Sequence, residues 1–177
     1  DDLLKIYAPH NQVPAIMSIP TIIYSGTRNG KFQVMKVVNR ARHTKWHEYN
    51  PEDPFIRRFH SCTSDDDKAT NMADFAEGKF PVMSATMALG LGQNLKRVRC
   101  VIHIGRGDPA SIVQMVSRSG RNGNTGLGLL FMEPSRKKGK NLLDEFERGS
   151  NQDDDTRMDA LAITPLCLRV ALTVDNQ

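Results

Sequence analysis

The chain has 177 residues, enough for one ordinary domain with a single core. Its formal net charge of +4 is compatible with a polyanionic partner without demanding one. Its three cysteines (Cys62, Cys100, Cys167) are too scattered for a disulfide framework or a closed zinc site, and no metal is expected. No apolar run is long enough to span a bilayer and no signal-peptide pattern opens the chain. The expectation is therefore an intracellular protein without a membrane partner.

Residues 1–19 hold Leu3, Leu4 and Ile6 and then Pro9 and Pro14, with Pro20 beyond, so a helix can form only at the very start of this lead-in. The opening reads as a sequence entered in mid-domain. Thr21–Tyr24 is a β-branched run between Pro20 and Ser25-Gly26, the pattern of a buried strand. Asn29 is placed to cap a helix running to about Arg42, with Phe32, Met35, Val37 and Val38 on one side. His43–Pro54 reads as a surface loop, and Phe55–His60 as a second strand. After it, Ser64 can cap a helix whose first turn carries Asp65, Asp66 and Asp67 at the positive end of the dipole; Met72, Phe75 and Ala76 form its inner face and Gly78 ends it. A metal site is the competing reading of the aspartates.

Phe80–Ala85 and Cys100–Ile104 are further strands, joined by the glycine-punctuated turn TMALGLGQN. Pro109–Ser117 opens as a helix with proline in its first turn. Next come Arg118 and Arg121, three residues apart, expected on one helical turn, flanked by Gly120 and Gly123 and just past Gln114. Guanidinium groups held together in this way suit phosphate oxygens, although an exposed basic helix end has the same pattern. Thr125–Met132 is an apolar strand and Pro134 is expected to open a helix. The segment SRKKGK is basic, GSNQDDDTR reads as an acidic loop, and ALAITPLCLRVALTV reads as the start of a second unit.

Strands alternating with helices at this spacing predict an α/β fold with a mainly parallel sheet. Ligands of such sheets gather beyond the carboxyl ends of the strands, here the loops Ser25–Asn29, His60–Ser64, Ala85–Asn94 and Gly105–Asp108.

Four segments in order give a sharper reading. TIIYSGTRN resembles motif IV of RecQ-type superfamily 2 helicases. RFHSCTSDDDKATNMADFAEG resembles their Tyr-His-Ala-Gly segment, SATMALGLGQNLKRVRCVIH their motif V, and QMVSRSGRNG their motif VI. The resemblance implies a RecA-like three-layer sandwich over residues 20–148, the second motor domain of a DNA helicase that tracks 3′ to 5′. It implies a C-terminal extension, only partly ordered, over residues 149–177. Carried over by position, Arg121 falls on the arginine finger, Arg118 on its companion and Gln114 on the leading glutamine. Asn94 and Gly92 fall on positions facing the nucleotide. Thr27 and Thr86 fall on hydroxyl positions that hold the tracking strand, with Arg28 adding charge, and His60 on the histidine of its segment.

This sequence departs from the pattern at Met115, where the motif has an acid, at Ser117 and Ser119, where it has glycine and alanine, and at Asn122, where it has aspartate. It also carries no phosphate-binding Gly-x-x-x-x-Gly-Lys-Ser/Thr loop and no Asp-Glu-x-His. ATP and Mg2+ would then be bound mainly by a first RecA-like lobe, which becomes an expected partner beside single-stranded DNA. The rival reading is a non-catalytic nucleic-acid-binding remnant. The resemblance places the protein in the nucleus of a eukaryote or otherwise in the cytoplasm.

Overall fold

The computed structural model describes residues 2–26, 28–59, 64–86, 89, 95–121, 123–147 and 149–175. In chain order its regular elements are α1 (Leu3–Ile6), β1 (Thr21–Ser25), α2 (Arg28–Arg42), β2 (Ile56–Phe59), α3 (Asp65–Glu77), β3 (Val82–Ala85) and β4 (Cys100–Ile104). Then come α4 (Pro109–Val116), β5 (Leu127–Phe131), α5 (Asp154–Ile163) and α6 (Leu168–Asp175). The strands form one parallel sheet in the order β2-β3-β1-β4-β5, with Tyr24 level with both Ala85 and His103. This is the expected α/β sandwich.

Each strand points alternate side chains to opposite faces, and two cores result. Ile23, Cys100 and Ile102 meet Val34, Met35 and Val38 of α2, with Leu3 and Tyr7 of the lead-in at the margin. Ile22, Tyr24, Met83 and Val101 face the other way, against Phe75 of α3 and Met115 of α4. Because β1 lies between β3 and β4 and is buried on both faces, its centre, Ile22–Tyr24, is an apolar run rather than an alternating one.

Local grammar explains α3. Ser64 accepts a hydrogen bond from the Asp67 N–H at 3.1 Å, and Gly78 ends the helix in a left-handed conformation at φ 87°. Asp65 pairs with Lys68, so the aspartate run is a charged helix start. Ala76, expected on the inner face, is exposed; one residue of helix turns it about 100° from the buried Phe75. Asn29 is likewise not a cap: α2 already begins at Arg28.

The peripheral segments are tied down by buried polar side chains. Arg42, 3% exposed, donates from Nη1 to Ala8 O (2.8 Å) and Val13 O (2.7 Å), fastening the lead-in across α2. Asp53 is fully buried, although residues 43–54 read as surface. Its Oδ1 accepts from the N–H groups of Phe55 and Ile56, each at 2.7 Å, and its Oδ2 lies 2.8 Å from His47 Nδ1.

Two expectations past β5 are corrected. Pro134 opens no helix; the chain instead wraps Arg136, whose guanidinium takes the carbonyls of Glu133 and Lys140. Once those carbonyls point inward at one side chain, they are lost to a helical ladder. The acidic segment is not all loop. Asp153 caps α5, accepting from the Thr156 N–H at 2.8 Å, and Asp154 and Asp155 lie in its first turn. Met158 and Leu161 of α5 and Leu172 of α6 pack on Ile112 of α4. Asp159, 2% exposed, accepts from Arg106 Nη2 (2.8 Å) and the Lys140 N–H (2.8 Å) and pairs with Arg136 Nε at 3.0 Å. No described helix is long and apolar enough to cross a membrane.

The Asp53 bonds lead to a stability prediction. Asp53→Ala strands two buried backbone donors and should lower unfolding free energy by about 3 kcal/mol. Asp53→Asn keeps an acceptor oxygen and should cost distinctly less; urea denaturation of the three proteins measures both.

Candidate functional site

The parallel register brings the ends of β1, β2 and β3 level, since Ala85 pairs with both Tyr24 and Phe59. Thr86 follows directly: its N–H approaches Phe59 O at 3.4 Å and its carbonyl accepts from the Leu89 N–H at 3.0 Å. Gly26 ends β1 at the same edge and Arg28 begins α2 there. Thr27, His60, Gly92 and Asn94 lie outside the described residues. Thr86 and the backbone of Arg28 are thus on one edge of the sheet.

β4 ends at the same edge. Gly105 takes φ 83° and returns its N–H to Phe131 O at 2.8 Å. Asp108 then caps α4, its carboxylate accepting from the N–H groups of Ala110 and Ser111 (3.0 Å each) and from the Ser111 hydroxyl (2.6 Å). The Ser111 hydroxyl, more than any other group, holds the Asp108 carboxyl below the ordinary carboxylate range. Asp before Pro at the head of an apolar helix is the sequence signal for this cap.

Between these loops lies a cavity of about 160 Å³, lined in part by Tyr24, His103, Arg106 and Asp108. The Tyr24 hydroxyl and His103 Nδ1 are buried, with no hydrogen-bond partner among the described residues. Burial pushes the Tyr24 phenol up to about 12, against the nearby charge of Arg118. Burial also pulls His103 below its usual value of 6.5, opposed by its contact with the Gly105 backbone.

α4 runs back from this edge, and the arginines end up elsewhere. The helix stops at Val116, so Arg118 and Arg121 do not share a helical turn as expected; they sit in the turns after it. The Arg118 N–H donates to Met115 O at 3.1 Å and the Gly120 N–H to Val98 O at 3.1 Å. Val98 precedes β4, which puts this turn at the amino edge of the sheet, across from Thr86 and Gly26. Arg118 is 6% exposed and close enough for its charge to act on Tyr24, whereas Arg121 is half-exposed, its Nε 3.4 Å from Ser117 O. Gln114 is exposed on α4.

Gly120 is required where it stands. Its φ is 70°, and a Cβ would lie 2.6 Å from both Asn124 O and Gly126 N. The departures from motif VI also have local reasons. Met115 is buried in the core, where an acid would need a partner. Ser117 and Ser119 turn their hydroxyls onto Gln114 O (2.8 Å) and Val116 O (2.7 Å), capping carbonyls at the helix end. Among the described residues, no group of three or more His, Cys, Asp or Glu side chains is placed to hold a metal ion.

Residues 16–123 match the family model described as helicase conserved C-terminal domain. The chain is 28% identical over 154 residues to the human protein named ATP-dependent DNA helicase Q4, covering 84% of this chain and 12% of that protein. It is 32% identical over 114 residues to the mouse protein of the same name, covering 63% of this chain and 9% of that protein. The chain thus spans about a tenth of the length of the curated relatives it matches. Among solved structures it resembles the Mycobacterium smegmatis helicase Lhr bound to single-stranded DNA and AMP-PNP. The TM-score there is 0.54 at 22% identity, over 74% of this chain and 16% of that one. The fold and the ordered motifs define a RecA-like helicase lobe. This chain belongs to the helicase conserved C-terminal domain family.

The buried imidazole gives a pH prediction. A histidine whose folded-state pKa lies below the unfolded 6.5 binds fewer protons when folded, so stability falls as pH drops below about 6.5. The slope from this group is at most about 1.4 kcal/mol per pH unit. Denaturation midpoints at pH 7.5 and 5.5 should diverge less in His103→Gln than in the parent.

Proposed function

We propose that this chain is the second motor lobe of an ATP-dependent DNA helicase that moves 3′ to 5′ along single-stranded DNA. The observation that carries this reading is the family match over residues 16–123, which takes in both the strand-end loops and the arginine turn. The DNA helicases among its relatives and their named use of ATP support it. In this reading residues 20–148 are the lobe and residues 149–177 belong to the following unit, of which α5 and α6 pack on α4. A first RecA-like lobe is the partner.

The two edges of the sheet divide the work. At the amino edge, Arg121 extends from the glycine-built turn as the finger. Its planar fork of N–H donors stabilises charge that develops on the phosphoryl oxygens in the transition state. ATP with Mg2+, held by the first lobe, supplies the phosphoryl group transferred to water. Arg118, buried beneath, positions the turn and adds charge; Gln114 and, by their positions in the motifs, Asn94 and Gly92 are the further nucleotide-facing residues. Thr86 and Arg28 at the carboxyl edge, together with Thr27 and His60 by their positions in the motifs, hold phosphates of the tracking strand, contacts that carry no base preference.

In a two-lobe protein, Arg121→Ala should leave ATP binding nearly intact and lower turnover about a thousandfold. Arg121→Lys should rescue little, because a point charge does not reproduce the fork. Parent-rate hydrolysis by both variants would reduce Arg121 to a surface arginine and favour the non-catalytic reading. The 177-residue chain alone should show no DNA-stimulated ATP hydrolysis.

DNA binding separates charge from hydrogen bonding. Arg28→Ala should weaken single-stranded DNA binding for every sequence and reduce the slope of log affinity against log salt by about 0.7. Thr86→Val should weaken binding with little change in slope. If Thr86→Val lowers thermal stability alone, Thr86 only shapes its turn.

A further inference from the structure

Beside α2 stands a group of aromatic side chains that packing does not explain. Phe32 of α2 meets Tyr49 edge-on at 5.2 Å between ring centroids, and Trp46 stacks on Tyr49 at 6.3 Å with 24° between ring planes. Trp46 is 74% exposed and Tyr49 60%, so the outer end of this ladder is open to water. Exposing two large aromatic rings side by side forgoes their burial energy, which marks a surface that meets something. The backbone points the same way. Trp46 takes φ 72° and His43 φ 59°, left-handed conformations that cost a residue with a Cβ and persist where the fold imposes them.

The neighbouring charge identifies the partner. α2 contains Arg28, Lys31, Lys36, Arg40 and Arg42 and no acidic residue. Arg42 turns inward to the lead-in, while Arg40 is exposed and Lys36 Nζ lies 4.8 Å from the Phe32 ring centroid. Phe32 is four residues past Arg28, about 6 Å along the helix axis from the strand-end edge. Exposed rings beside a basic helix face match what an unpaired nucleic acid strand offers, bases to stack and phosphates to neutralise. A duplex offers its phosphates but keeps its bases inside.

We infer that Trp46 and Tyr49, with Lys36 and Arg40 of α2, form a base-stacking platform for single-stranded DNA, extending the strand's path beyond the strand-end edge. The platform rests on the proposed DNA role of this lobe only for its continuity with that edge; its own binding is read by a separate signal. Stacking needs no particular base, so the platform is compatible with movement along any sequence. Its hold would be released and remade as the lobe advances.

Trp46 is the sole tryptophan of the chain, so its fluorescence reports this site alone. The full chain is titrated with fluorescein-labelled oligo-dT of fifteen nucleotides for anisotropy, with the unlabelled strand for tryptophan emission, and with an abasic strand of equal length. Oligo-dT should quench Trp46, and the abasic strand should bind more weakly and leave emission nearly unchanged. Tyr49→Ala should weaken oligo-dT binding about five- to hundredfold, the range for loss of one stacked base. Trp46→Gly should weaken it similarly while its thermal midpoint stays level or rises, since glycine accepts the left-handed backbone. Oligo-dT that binds by anisotropy without quenching Trp46, or with equal affinity for Trp46→Gly, overturns the platform and leaves the strand-end reading standing. Equal quenching by the abasic strand overturns it too, since no base would be stacked. No binding of either strand overturns the platform on this chain, whereas the strand-end contacts are judged on the two-lobe protein.

Discussion

The structure depends on β1 lying between β3 and β4 in parallel register. A strand hydrogen-bonded on both sides and covered on both faces favours an apolar centre, and Ile22 and Ile23 are completely buried. Parallel pairing also forces each connection to cross back over the sheet as a helix or loop. All strand ends therefore share one edge, and whatever follows a crossover helix falls at the other. The separation of Thr86 from Arg121 is a consequence of that geometry. A lobe that holds a strand at one edge and completes a nucleotide site at the other can couple the two events through rigid elements between them.

Around this frame, single buried charged side chains hold the less regular segments. Arg42 secures the lead-in, Asp53 the entry to β2, and Asp159 the C-terminal helices. Each takes several partners, which lowers the cost of burying a charge, although Arg42 Nε has no hydrogen-bond partner among the described residues. Asp159 binds Arg106, whose loop also lines the cavity beside Tyr24 and His103. The extension after β5 is therefore in contact with the edge where the strand-end loops lie.

The altered motif VI is consistent with this packing. Met115 fills the core, and the two serines satisfy carbonyls at the end of α4. Gly120 and Gly126 meet backbone to backbone, so the turn that carries the arginines is braced against the entry to β5. The changes affect how the turn is supported, while both guanidinium groups remain.

Sequence by itself determined the elements whose causes are local. Ser64 and Gly78 bound α3, Cys100–Ile104 is β4 without adjustment, and the alternation of strands and helices established the parallel sheet. The arginine pair was legible as residue types, but its spacing misled: Arg118 and Arg121 follow α4 and do not share its last turn. Tertiary structure alone decided what depends on distant contacts. It ended α4 before Arg118, turned the segment after Pro134 around Arg136, buried Asp53 within a polar loop, and brought Tyr49, with Trp46 stacked on it, against Phe32. A periodicity records which face of an element is apolar. Which edge a loop reaches, and which distant charge it meets, follow from closure of the whole sheet, and no window of neighbouring residues contains that information.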